Sequence, residues 1–326
     1  MYIDRGREVS IAVFLGVIAL VLLIFAPNFF SVGNLADILV NTSYVAIAAL
    51  GGMLAILTGQ PDISVGSILA ICAITAGTLS KMGVPVFAVF LIACGVGATL
   101  GLINGLLVTR LGIHSIIVTL GTLSIYRGVL LYVTGGAWVY DLPPDFRQLG
   151  LGSVFGIENP IWVAVLVLVA GSFVLRNTAW GRSLYAVGSS EEAARLSGVN
   201  PSRVITSAFT VNGALVGVAA MVFAPRFSTI QSNIGTGFEF LVITAVVVGG
   251  VHIFGGSGTV LGVALGSLLV GITGTVLVFL EISAFWEQTL HGLFILLAVG
   301  FGVFQAKRRS AKARQERAES TAGEPA

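Results

Sequence analysis

Residues 84–108 read VPVFAVFLIACGVGATLGLINGLLV, an uncharged run held between Lys81 and Arg110. A bilayer core is roughly 30 Å thick and a helix rises about 1.5 Å per residue, so about 20 apolar residues suffice to cross it. Gly97, Gly101 and Gly105 recur at every fourth position and share one face of the expected helix. Small residues at that spacing let a second helix approach closely, which is how helices associate where lipid is as apolar as the side chains. The stretch therefore reads as a membrane span built to pack tightly.

The rest of the chain repeats the pattern. Apolar runs at 9–26, 35–58, 63–79, 114–133, 161–175, 204–224, 238–254, 260–280 and 287–304 bring the expected spans to ten. Glycine-broken links after the second and eighth runs leave room for eight or nine full crossings with re-entrant pieces. The expected fold is an all-α integral membrane protein, a polytopic bundle of about ten (eight to ten) transmembrane helices spanning residues 1–306. Composition agrees: charged residues are 10% of the chain, against about 25% in a soluble domain. Hydrophobic residues reach 56% and mean hydropathy is +0.99. The net charge of +2 does not argue for nucleic acid, because the basic residues flank spans. Cys72 and Cys94 lie inside apolar runs and read as buried small residues, not as a disulfide or metal site. The first apolar run follows a segment with both signs of charge and no clear cleavage site, and is expected to be an uncleaved span.

Charge placement sets the orientation. With the N-terminus in the cytoplasm, 13 of the 17 Lys and Arg residues fall inside: Arg5, Arg7, Arg110, Arg176, Arg182, Arg195, Arg203 and six in the tail from Lys307 to Arg317. Lys81, Arg147 and Arg226 fall outside, and Arg127 lies within a span. That asymmetry follows the positive-inside rule and makes both termini cytoplasmic. The tail at 307–326 reads as a solvated basic end that meets anionic lipid.

Few residues could carry chemistry. The chain has no phosphate-binding GxxxxGK[ST] loop. His114, His252 and His291 are scattered, without metal-ligand spacing, and no span carries a ladder of carboxylates. No catalytic set and no metal site is expected. Asp62, just before an apolar run, is expected to cap the next span with help from Ser64, or else to line a pathway. Arg127 must snorkel or pair inside the bundle with an acidic residue such as Glu239, since a charge at mid-membrane costs about 2.5–3.5 kcal/mol. Asn41, Asn104 and Asn212 read as interhelical hydrogen-bonding residues. Gly51-Gly52 and Gly249-Gly250 hint at an internal repeat.

The longest charged loop, residues 178–203, reads TAWGRSLYAVGSSEEAARLSGVNPSR. Ser189 or Ser190 can cap a short helix from Glu191 to Leu196, Gly198 ends it and Pro201 restarts the chain. Such a helix on the cytoplasmic face can be gripped by another protein or rest on lipid. The adjacent carboxylates Glu191 and Glu192 are repelled by an anionic leaflet and favour the protein partner.

Within that loop, Glu192-Ala193-Ala194-x-x-x-Gly198 resembles the EAA-xxx-G coupling loop of ABC importer permeases. Gly59-Gln60-Pro61-Asp62-Ile63-Ser64-Val65-Gly66 is similar to the G-x-x-D-[LI]-S-V-G signature of the ribose-type sugar permease branch, departing from it at Pro61. The segment 117–123 with Tyr126-Arg127-Gly128, and Gly249-Gly250 with Gly255-Gly256-Ser257-Gly258, resemble two further signatures. Trp138, Leu142-Pro143-Pro144 and Gly235-Thr236-Gly237 look closest to autoinducer-2 and rhamnose permeases. The resemblance implies a type II-like permease paired as a homo- or heterodimer around a pathway of low affinity. It implies a cytoplasmic ABC ATPase that holds ATP and Mg in place of this chain, and a periplasmic sugar-binding protein. Glu191, Glu192, Ala193, Ala194 and Gly198 would couple to the ATPase. Asp62, Ser64, Asn104 and Arg127 would be pathway or structural polar residues. An ion-coupled secondary carrier is the rival reading.

Overall fold

The computed structural model describes residues 5–283 and 285–300. The chain is helical almost throughout: α1 (Arg5–Phe25), α2 (Val32–Leu57), α3 (Val65–Lys81), α4 (Val86–Leu111), α5 (Ser115–Thr134), α6 (Pro144–Leu151), α7 (Asn159–Asn177), α8 (Ala179–Ser189), α9 (Glu191–Leu196), α10 (Pro201–Phe223), α11 (Phe238–Val248), α12 (Val260–Phe279) and α13 (286–300). A two-stranded antiparallel hairpin, β1 (Ser153–Val154) and β2 (Ile157–Glu158), precedes α7. The basic tail expected at 307–326 lies outside the described residues.

Among the described residues, six helices (α2, α4, α5, α7, α10 and α12) are long and apolar enough to cross a bilayer. The expectation of eight to ten spans is loose at its upper end, where it counted the shorter α3 and α11 as full crossings. At about 1.5 Å per residue, the 17 residues of α3 reach roughly 25 Å and the 11 of α11 about 16 Å, both short of a crossing. The run expected at 238–254 is helical only to Val248, where Gly249 and Gly250 turn the chain. Gly51 and Gly52, by contrast, lie inside α2. The two glycine pairs of the expected repeat thus do not occupy matching secondary structure.

Burial ranks the helices. α2 and α10 form the centre, with Ile47, Ala48, Ala49, Phe209 and Val216 fully buried, while α4, α5 and α7 turn exposed Leu, Ile and Val outward. That is the arrangement of a bundle whose outer helices face lipid. The α4–α10 crossing rests on glycine. A methyl group at Gly97 would fall on the Gly213 carbonyl, one at Gly101 on the Phe209 carbonyl, and one at Gly217 on the Ala93 carbonyl. Backbone therefore meets backbone along three turns, and Thr109 Oγ1 lies 3.0 Å from Thr206 Oγ1 at the end of the seam.

Connecting segments sort to the two ends. At one end Val139 and Ile230 exchange backbone hydrogen bonds of 2.9 Å, α6 packs on residues Ala224–Arg226, and Arg226 donates to Asn41 Oδ1. Trp162 Nε1 donates to the Val154 carbonyl (3.2 Å) and pins the hairpin there. At the other end α8 meets the close of α2 and the 249–259 link, and α9 packs on α8 and the start of α10. Successive links alternate between these ends, as a chain threading back and forth requires.

Candidate functional site

At the end bearing α8 and α9, local sequence dictates the geometry. Thr178 caps α8 by accepting from Gly181 N (3.0 Å), and Gly181, Leu184 and Val187 form its buried face. α8 therefore lies against the bundle. Ser190 closes α8 and opens α9, its hydroxyl accepting from Ala193 N (3.2 Å). Gly198 takes φ +83°, the left-handed conformation that stops α9, and Asn200 caps α10 through Arg203 N (3.1 Å). Only Ala194 of α9 is buried, at 4% exposure. Glu191, Glu192, Ala193, Arg195 and Leu196 all face outward, with Leu196 84% exposed. Glu191 and Arg195 form an i,i+4 ion pair of 3.0 Å. An exposed pair of that kind contributes only about 0.3–0.5 kcal/mol, so a partner can displace it easily.

The second concentration of polar groups lies inside the bundle, where α3 and α11 begin. Asp62 is 3% exposed. Its Oδ1 accepts from Ser64 N (2.9 Å) and Ser64 Oγ (2.7 Å), and its Oδ2 accepts from Asn212 Nδ2 (2.9 Å) on α10. Ser64 Oγ in turn accepts from Asn104 Nδ2 (2.8 Å) on α4, and Tyr126 Oη on α5 donates to Asn104 Oδ1 (3.0 Å). Five side chains thus tie the 58–64 link to three helices. The capping expected of Asp62 takes another form. Ser64 holds the N-cap position without a side-chain cap, and Asp62 organises the turn before it.

α11 starts beside the same place. Gly66, in the first turn of α3, approaches so closely that a methyl there would fall on the Gly235 carbonyl and the Glu239 carboxylate. Two short helices therefore point their N-termini, with their partial positive charge, into the interior. Arg127 forms no salt bridge with Glu239, although the two charges interact, and its hydrogen bonds go to backbone. Its Nη1 donates to the Ile234 carbonyl (2.7 Å) and its Nη2 reaches the Gly66 carbonyl (3.5 Å). The reason is geometric: the nonhelical 231–237 link leaves carbonyls that need donors, and the guanidinium fork reaches one of them, Ile234, together with the Gly66 carbonyl in the first turn of α3. Glu239, 7% exposed, opens α11, where a carboxylate suits the helix dipole.

Sequence reasoning named Asp62, Ser64, Asn104 and Arg127. It missed Tyr126 as a donor to Asn104 and the proximity of Gly235 to Gly66. Only contacts between distant segments reveal these. Among the described residues, no three His, Cys, Asp or Glu side chains gather in a metal-binding group. Cys72 and Cys94 are free, the first bonded to the Ala93 carbonyl (3.4 Å). The interior polar side chains bond to one another and to backbone.

Comparison with known proteins agrees. Residues 34–299 match the family described as branched-chain amino acid transport system / permease component. The chain is 37% identical over 316 residues to the autoinducer 2 import system permease protein LsrC of Yersinia pseudotuberculosis serotype O:1b (strain IP 31758), covering 97% of this chain and 89% of that protein. It is 36% identical over the same length and coverage to the protein of that name from Yersinia pestis (strain Pestoides F). No solved structure matches the chain. The chain is a membrane-spanning permease subunit of an ABC importer and belongs to the branched-chain amino acid transport system / permease component family.

Proposed function

We propose that this subunit carries autoinducer-2 or a related sugar-like solute inward across the bacterial inner membrane, driven by a cytoplasmic ATPase that grips α9. The observation that carries the coupling half is the state of α9. In a chain whose outer helices are apolar, this helix buries only Ala194 and turns two carboxylates and a bare Leu196 outward. The solute is drawn from the LsrC relatives, named as autoinducer 2 import permeases, and from the likeness at Trp138, Leu142-Pro143-Pro144 and Gly235-Thr236-Gly237.

In this reading α8 and α9 face the cytoplasm, as do both termini, which the excess of Lys and Arg on that side supports. The opposite end, with α6 and the hairpin, receives solute from a periplasmic binding protein. ATP and Mg stay with the ATPase, and a second permease chain, identical or related, completes the pathway. Asp62, Ser64, Asn104 and Arg127 hold the two half-helices that border it. Glu191, Glu192, Ala193, Ala194 and Gly198 present or shape the gripped surface, with Leu196 as its apolar anchor.

Leu196→Asp and Glu192→Lys test the coupling half. Burying a leucine side chain contributes about 1.5–3 kcal/mol, so Leu196→Asp should weaken ATPase capture about 10- to 100-fold. Both variants should still insert and purify as monodisperse protein while autoinducer-2 uptake stops. Normal uptake by either variant would remove α9 from the docking role.

A further inference from the structure

Three backbone segments close on one another where α8 ends. Gly256, in the link between α11 and α12, donates its N–H to the carbonyl of Leu57, the last residue of α2 (3.0 Å). Gly188, near the end of α8, sits so tightly on both that a methyl there would fall on the Leu57 carbonyl and the Gly256 nitrogen. Tyr185, one turn earlier, donates its hydroxyl to the Gly258 carbonyl (3.0 Å). Burial raises the Tyr185 phenol above its ordinary value, which keeps it a donor. Gly255 stands against Gly59 N and Leu57 O at φ +91°, and Gly256 takes φ +77°; both conformations favour glycine.

We infer that Tyr185, Gly188 and Gly256 form a rigid joint that passes displacement of α9 to the two half-helices. The inference rests on the reading of α9 as the gripped element. α8 and α9 are joined through the single residue Ser190, so α8 must follow α9. On the other side of α9, residues Ser197–Asn200 are largely exposed, and a methyl at Gly198 would meet nothing within 4 Å. α9 also touches the start of α10, but its packing on α8 is the more extensive, so the main route runs through α8. From the joint, one branch leads through Leu57 and Gly59 to Asp62 and α3, and the other through the 250–258 link to α11. Those are the helices whose N-termini meet at Gly66 and Gly235. Close-packed backbone transmits such a shift because it has no space to absorb it. Tyr185, Gly188 and Gly256 act here as positioning residues that touch neither solute nor ATPase.

Tyr185→Phe keeps the ring and removes one hydrogen bond, so it is the sharper test. Gly188→Ala, which forces the backbones apart, is the stronger perturbation. Each is assembled with the ATPase and binding protein in proteoliposomes, and autoinducer-2 moved per ATP hydrolysed is measured. For Tyr185→Phe, ATPase co-purification and hydrolysis rate should match wild type while solute moved per ATP falls about five-fold, the effect of one lost hydrogen bond. Gly188→Ala should lower that ratio further. An unchanged ratio in Tyr185→Phe overturns the joint and leaves the docking role of α9 intact. Parallel loss of ATPase capture and uptake makes Tyr185 merely structural and also overturns it. Failure of the unmodified chain to capture the ATPase removes the docking role itself, and the joint with it.

Discussion

Replacing Asp62 separates two explanations for a buried carboxylate in a membrane protein. In the structure Asp62 accepts hydrogen bonds from Ser64 N, Ser64 Oγ and Asn212 Nδ2. Asp62→Ala strands those three donors in a buried site, at about 1–3 kcal/mol for each donor that finds no substitute. Ser64 Oγ can rotate, so the working total is about 3–5 kcal/mol. For a chain of this length each kcal/mol moves Tm by roughly 1.5–2 °C, giving a drop of about 5–10 °C. Asp62→Asn should behave differently. Asn212 Oδ1 has no partner among the described residues. Turning the Asn212 amide lets it accept from the new amide, while the remaining oxygen still serves Ser64. The expected change is under about 1 kcal/mol. The assay is thermal unfolding of the purified permease in detergent, followed by tryptophan fluorescence. If Asp62→Asn proves as damaging as Asp62→Ala, charge and not hydrogen bonding holds the site, and the network account fails.

Two further substitutions probe packing and the interior. Gly95→Ala and Gly97→Ala make the same change two residues apart on α4. A methyl at Gly95 meets nothing within 4 Å, whereas one at Gly97 falls on the Gly213 carbonyl. The first should gain about 0.5–1 kcal/mol from helix propensity and the second lose about 1–3 kcal/mol from overpacking, a difference in sign readable in the same melts. Arg127→Ala should strand the Ile234 carbonyl and remove the weaker second bond to Gly66, at a cost of about 1–3 kcal/mol. Arg127→Lys should recover only part of that, because an ammonium lacks the fork that reaches both. Amide hydrogen exchange over residues 231–237 should rise in Arg127→Ala, and exchange equal to wild type would refute the contact.

Legibility followed the range of the interactions. The helix Glu191–Leu196 could be read because its signals are local: a serine cap, a glycine stop, a proline restart. α8 next to it escaped, since Gly181 and Gly188 look like breakers in AWGRSLYAVGS. Both glycines answer to tertiary contacts, Gly181 to the backbone of Val174 and Leu175, and Gly188 to Leu57 and Gly256. The end of α11 escaped for a different reason. Val251, Ile253 and Phe254 continue the apolar run past Val248, and hydropathy does not separate a helix from a link buried in protein. Asp62 was visible as a polar residue beside a span, but its second partner lies 150 positions away on α10, and nothing near Asn212 announces the pairing.

If the pathway runs beside the half-helices, as proposed, their polar contacts bear on how it meets a solute. Breaking a helix inside a membrane leaves backbone groups that lipid cannot satisfy, so the break survives only where protein supplies partners. This chain supplies them from the interior polar residues it has. Asp62 and Ser64 organise the turn before α3, and Arg127 donates to Ile234 and Gly66 beside the start of α11. A guanidinium already engaged with two carbonyls has fewer donors left for a passing polyol. Strong solute binding at this position would have to compete with the bonds that keep the break in place. Under the proposed reading, a pathway wall built so would grip its cargo weakly, leaving capture to the binding protein and direction to the ATPase proposed at α9. A mutation that strengthened solute binding by freeing Arg127 would do so by loosening α11, and uptake would fall as affinity rose.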